Sequence, residues 1–299
     1  MKKRIFATAL AMILAISTTQ AALAQEGQPE DGQPEADEVI EGFRKAVDEL
    51  ESFSFTSIRT DYGDEFIVER HKEAMKSYEP ILSKLEFLTR KSLMPEIRKE
   101  YKNVGHYKIV KPFLIEVDME VNEYLPELLY GSIAYYRPDI KEEIISMKEP
   151  MIGLVFKRPT DNDSATVMVD NWIYDLVELD CTLANGGAGR ITGTEEVDGK
   201  EVIVLEVELK GGKEDWKFGC GEKDYGIPES ARVQINAEMG MTGDRLEMHD
   251  EEVKIKLWID AENMLVVKKE MLIGEKTFTT RIFENIGLNS VKKEGLRRP

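Results

Sequence analysis

The sequence is poor in the residues that carry most enzyme chemistry. Its 299 residues include only three histidines (His71, His106 and His249), two cysteines (Cys181 and Cys220) and three tryptophans. G-x-S-x-G, H-E-x-x-H and G-x-x-x-x-G-K-[ST] are all missing, so nucleophile-elbow, zinc-protease and P-loop chemistry have no support. The glycine-rich run Asn185-Gly186-Gly187-Ala188-Gly189 leads into a strand pattern, whereas phosphate binding needs a helix there. Positive charge is scarce: 40 Lys and Arg against 57 Asp and Glu leave a net charge of -17. A field of that sign repels nucleic acid and anionic lipid headgroups. With so many carboxylates, close pairs arise by chance and no glycosidase pair stands out. His249-Asp250-Glu251-Glu252 can be drawn as a metal cluster, but it reads better as a solvated charge run before a strand. We therefore expect no enzyme, and assign no catalytic residue, cofactor or metal. No apolar run reaches the roughly 20 residues that span a bilayer, so the chain is expected not to cross a membrane.

What is present begins with an export signal. Lys2, Lys3 and Arg4 precede an apolar run from Ile5 to Ile16, and the segment closes on Ala22-Leu23-Ala24. A charged start, a short apolar stretch and an A-x-A site describe a signal peptide, residues 1–24, cleaved after Ala24 with Ala21 as second choice. The expected location is the periplasm, and the mature chain carries a net charge of about -20. In that oxidising compartment Cys181 and Cys220 most simply form one disulfide. Residues 25–36 repeat Gln-Pro-Glu around glycine and cannot bury surface, so they read as a disordered acidic linker.

From Asp37, taken as a cap, Val39, Ile40, Phe43, Val47 and Leu50 recur at helical steps. Phe53 to Tyr62 alternates as a strand. The charged stretch 64–103 reads as surface helix. From His106 onward the period is two: Phe113, Ile115, Val117 and Met119 oppose Leu114, Glu116, Asp118 and Glu120. Leu154 to Arg158, Ala165 to Val169 and Trp172 to Leu176 read as further short strands. Asp198-Gly199 turns a hairpin between Arg190–Val197 and Lys200–Lys210. Gly274-Glu275 turns another, between Val266–Ile273 and Lys276–Asn285. Leu205 and Val207 share one face of their strand, as Ile255 and Leu257 do in theirs. The glycine- and charge-rich segment 211–250 reads as an insertion tied back by the disulfide. The expected fold is α+β: a strongly curved antiparallel sheet with helices on its apolar face, in one domain over 37–296.

Several segments carry a family resemblance. They are Val169-Asp170-Asn171-Trp172-Ile173-Tyr174-Asp175, Val197-Asp198-Gly199-Lys200, Lys256-Leu257-Trp258-Ile259-Asp260 with Glu262-Asn263-Met264-Leu265, and Phe283-Glu284-Asn285-Ile286-Gly287-Leu288-Asn289. Over about half of the chain these resemble the outer-membrane lipoprotein carrier superfamily, LolA-like and LolB-like. Such proteins often have proline where this chain has Val266, and neither the length of 64–150 nor the insertion 211–250 has a family counterpart. The resemblance implies an incomplete barrel closed by helices, whose concave face doubles as core and as a cavity for acyl chains. Phe113, Ile115, Val117, Leu205, Val207, Ile255 and Leu257 are then the cavity candidates, though each taken singly reads first as plain core. The implied role is a non-catalytic carrier of an apolar ligand, an acyl chain or a lipoprotein. The alternative on the same scaffold is a module that binds an envelope protein.

Overall fold

The computed structural model describes residues 35–63, 98–111, 114–123, 132–137, 142–146, 155–159 and 170–293, without Glu222, Asp224 and Pro228, together with Leu296. The signal peptide, nearly all of the linker, residues 64–97 of the helix read over 64–103 and the strand read over Ala165–Val169 lie outside these residues, as does Phe113; the end of that helix reading, from Glu100, is strand instead.

Eleven antiparallel strands form one sheet in the order β6-β5-β4-β3-β2-β1-β11-β10-β9-β8-β7. They are β1 (Ser52–Tyr62), β2 (Glu100–Val110), β3 (Leu114–Asn122), β4 (Ser132–Arg137), β5 (Glu142–Ser146) and β6 (Val155–Pro159), then β7 (Gly189–Val197), β8 (Lys200–Glu208), β9 (Val253–Asp260), β10 (Val266–Ile273) and β11 (Lys276–Leu288). The chain starts at the centre and meanders outward to β6. It then crosses to the opposite edge and meanders back, until β11 pairs with β1. The edge strands β6 and β7 do not pair with each other, so the barrel is incomplete.

Helix α1 (Ala36–Glu49) lays Val39, Ile40, Phe43 and Val47 on the apolar face, all buried. Its cap is Glu35, which makes no side-chain bond, and Asp37 lies instead in the first turn, where its charge favours the helix dipole. At the other end the Lys111 ammonium donates to the open carbonyls of Val47 and Asp48. Strand β2 starts at Glu100, six residues before the reading from sequence. Its inward row runs in one phase through Tyr101, Gly105, Tyr107 and Ile109, and the bulge opposite Val104/Gly105 lies on β3, where Glu120 is the extra residue.

Residues read as a strand from Trp172 to Leu176 are instead the start of helix α2 (Trp172–Ala184). Every residue from Trp172 to Thr182 is buried. A helix enclosed on all sides shows no stripe, and its short apolar run looks like a buried strand. Asn171 caps it, accepting from the Ile173 and Tyr174 amides. The sheet lies against α2 together with α1, whose Arg44 donates to Asp180, and segment 211–250, whose Tyr225 donates to the same carboxylate. Trp172 packs on Phe53, Phe55 and Phe283 with centroids 5.1–5.8 Å apart, and its Nε1 donates to the Val266 carbonyl at 2.9 Å.

Segment 211–250 leaves the sheet between β8 and β9, which pair with each other, so its two ends meet where the Leu209 amide donates to the Val253 carbonyl at 2.9 Å. It contains helix α3 (Glu229–Met248), which the sequence pattern did not reveal. The expected disulfide joins Cys181 of α2 to Cys220 of this excursion. The Asp198-Gly199 hairpin is as expected, both residues having positive φ, 51° and 77°.

Candidate functional site: the concave face and its charged end

Six of the seven cavity candidates fall within the described residues. Ile115 and Val117 come from β3, Leu205 and Val207 from β8, Ile255 and Leu257 from β9, and all six belong to one apolar cluster. Leu205 faces Leu257 and Val207 faces Ile255 across the β8–β9 ladder. The β3 pair lies on the far side of β1. None is more than 3% exposed. Helices fill the space above them: the Ile40 side chain of α1, for example, approaches Gly189 beside Leu205.

One end of the concave face is charged, which the sequence reading missed. Arg59 Nε donates to Asp61 at 2.9 Å and its Nη1 to Asp170 at 3.0 Å. Arg281 Nη2 donates to Asp175 at 2.8 Å, and Lys269 Nζ donates to the same oxygen at 2.8 Å and to Glu178. Thr279 adds a bond to Asp61 at 2.8 Å. All seven charged groups are less than a tenth exposed. They pin α2 to β1, β10 and β11, and removing one partner of such a pair costs about 3–5 kcal/mol because the other charge stays buried. A signal was present: Arg59 shares the inward phase with Phe53 and Phe55, and Lys269 that of Met271 and Ile273. Burial, reinforced by Glu178 and Glu238, pushes the Tyr174 phenol well above its usual range, so it stays a neutral hydroxyl.

Above this end lies α3. Its inward row mixes Ala231, Ile235 and Met239 with Glu238, Thr242 and Arg245. Arg245 reaches the sheet by donating to Met271 Sδ at 3.4 Å and lying 4.0 Å over the Phe278 ring. Other ties hold α3 to its own excursion: Asp244 pairs with Lys213 at 2.6 Å and Asn236 accepts from the Phe218 amide at 2.5 Å. Gly243 lets the short turn Lys213–Asp215 sit against the helix, since a Cβ there would come within 2.8 Å of Lys213 Cα. Between α2, α3 and β1, β10 and β11 the charged groups line a partly open cavity of about 40 Å³.

On the outer face Thr56 Oγ1 lies 3.0 Å from His106 Nδ1, and His106 Nε2 lies 3.0 Å from Glu120. That is the hydrogen-bond order of a hydrolytic triad. Thr56 is only 6% exposed, so its secondary hydroxyl offers no approach to an ester. His106, for which the sequence suggested no partner, is a cross-strand link. Among the described residues no group of His, Cys, Asp and Glu is placed to hold a metal ion, and no helix is long and apolar enough to cross a membrane.

No protein-family model and no curated protein matches the sequence. The fold is similar to that of the Mycobacterium tuberculosis lipoprotein LppX, at a TM-score of 0.42 and 10% identity over 86% of this chain and 97% of that one. It is also similar to the Pseudomonas aeruginosa MucA/MucB complex, at a TM-score of 0.40 and 10% identity over 88% of this chain and 61% of that one, about three-fifths of its length. A LolA-superfamily protein of Nitrosomonas europaea is similar at a TM-score of 0.32 and 11% identity, over 89% of this chain and 99% of that one.

Proposed function

We propose that this chain is an exported, non-catalytic binding protein of the periplasm, which carries an acyl chain, a lipoprotein anchor or another apolar ligand on its concave face beneath α3. One observation carries the reading. A continuous apolar floor is covered at one side by a helix whose buried apolar anchors, among the described residues, are Ala231, Ile235 and Met239, with Leu246 partly buried beside them. Such a cover is displaced at modest cost, and an acyl chain recovers about 0.8 kcal/mol per buried methylene. Ile115, Val117, Leu205, Val207, Ile255 and Leu257 are the proposed floor, which such a chain would meet once the covering helices make room. The sequence motifs shared with the lipoprotein carriers support the same reading.

The test is native mass spectrometry of the mature protein purified from periplasm, followed by lipid extraction. A co-purifying acylated ligand is expected, and Met239→Asp, which puts a charge into the buried face of α3, is expected to speed its exchange. A clean unliganded mass with no uptake of added lipopeptide overturns the reading. A second reading, binding of an envelope protein, is favoured by β7, a terminal strand with alternating exposed residues to which an extended partner segment could pair. Thr192→Pro would abolish that pairing and leave lipid uptake intact.

A further inference from the structure

The partly open 40 Å³ cavity at the charged end is lined by the groups that hold α2. Four cations line it: Arg59, Arg245, Lys269 and Arg281. Asp170, Glu178 and Glu238 line it as well, and Asp61 and Asp175 stand behind it on the same cations. Five carboxylates against four cations leave the set slightly negative, so an added carboxylate or phosphate would meet net repulsion. The cavity nevertheless holds unused donors. Arg281 is 5% exposed; its Nη2 donates to Asp175, but its buried Nε and Nη1 have no hydrogen-bond partner, Nη1 standing 3.6 Å from Asp170. Buried donors without acceptors are costly.

The group that suits such a place accepts hydrogen bonds, carries no charge and is small. The volume suits about three waters, or one ester or amide group. Met271, which lines the cavity, also belongs to the apolar cluster, so a head placed here continues into a tail on the concave face. Resting on the carrier reading, we infer that this cavity receives the neutral ester or amide carbonyl of an acyl ligand, and that Arg281 selects it over a free fatty acid or a phosphorylated headgroup.

The experiment uses delipidated mature protein loaded with the neutral fluorophore N-phenyl-1-naphthylamine, displaced by monooleoylglycerol, oleamide, oleate or octadecene at pH 7. Monooleoylglycerol and oleamide are expected to displace it at concentrations about tenfold below oleate or octadecene, the size of one added hydrogen bond to a charged donor. Arg281→Lys keeps the charge but loses the fork, and is expected to erase most of that advantage while leaving octadecene unchanged. Glu238→Gln removes one negative charge from the lining without touching Arg281, and is expected to improve oleate several-fold and the neutral ligands little. Equal displacement by all four compounds overturns the headgroup assignment and leaves the carrier reading standing, as does oleate matching the ester. Failure of the folded protein to take up the fluorophore or any tail overturns both. An Arg281→Lys protein that is folded by circular dichroism and keeps the full ester preference also overturns the assignment.

Discussion

Helices α1 and α3 both cover the concave face, and they hold to it by different physics. Helix α1 presents four large apolar side chains in register, each at most 1% exposed. Helix α3 is longer, yet among the described residues its inward row includes Glu238, Thr242 and Arg245, and Asp244, Asn236 and Glu247 tie it to its own excursion. The first is part of the core. The second is a cover held by a few apolar anchors, a cation over a ring and polar bonds, in an excursion that one disulfide ties to α2. Length in residues therefore says little about how firmly a helix is held; the apolar area on its buried face says more.

Substitutions can break or sharpen this contrast. Phe43→Ala in α1 is expected to cost the whole fold about 3–5 kcal/mol, read as a lowered denaturation midpoint. Replacing both cysteines by serine opens a loop with a sequence separation of 39. The chain-entropy model puts the loss at about 4 kcal/mol, and hydrogen exchange should show it first in the amides of α3. Arg245→Met keeps the apolar stem and loses the charged contact with Phe278, for about 1 kcal/mol, expressed as faster exchange in α3 with little change in the global midpoint. If Phe43→Ala and Arg245→Met raise exchange in the same amides to the same degree, the two helices form one cooperative unit and the contrast fails.

The same contrast explains what could be read from the sequence. Helix α1 and the strands from β7 to β11 each have one wet and one dry face, so period and hairpin turns placed them within a few residues. Helix α2 was misread because all of its faces are dry, and α3 was missed because its buried face is not. The disulfide followed from compartment and count alone. The apolar floor was legible as alternation in β3, β8 and β9, but alternation cannot separate a filled core from a cavity. The charged end was legible only in outline, as Arg59, Lys269 and Arg281 in inward phase. Their partners Asp170, Asp175 and Glu178 lie about 90–110 residues away along the chain, and only the curvature of the sheet brings them together.

The seam between β1 and β11 has a consequence for synthesis. It joins Phe53 to Leu288, so the first strand of the sheet gains its second neighbour only when the last has emerged. Until then the nascent chain consists of two separate meanders, each with an unpaired edge at what will become the middle of the sheet. Pairing over so long a separation is slow because loop closure precedes any gain from contact. During that delay the β1 edge is open to strands of other copies. A chain truncated before β11 keeps this exposure permanently, which places the greatest aggregation hazard of the molecule at its C-terminal end and makes early termination more damaging than most internal substitutions.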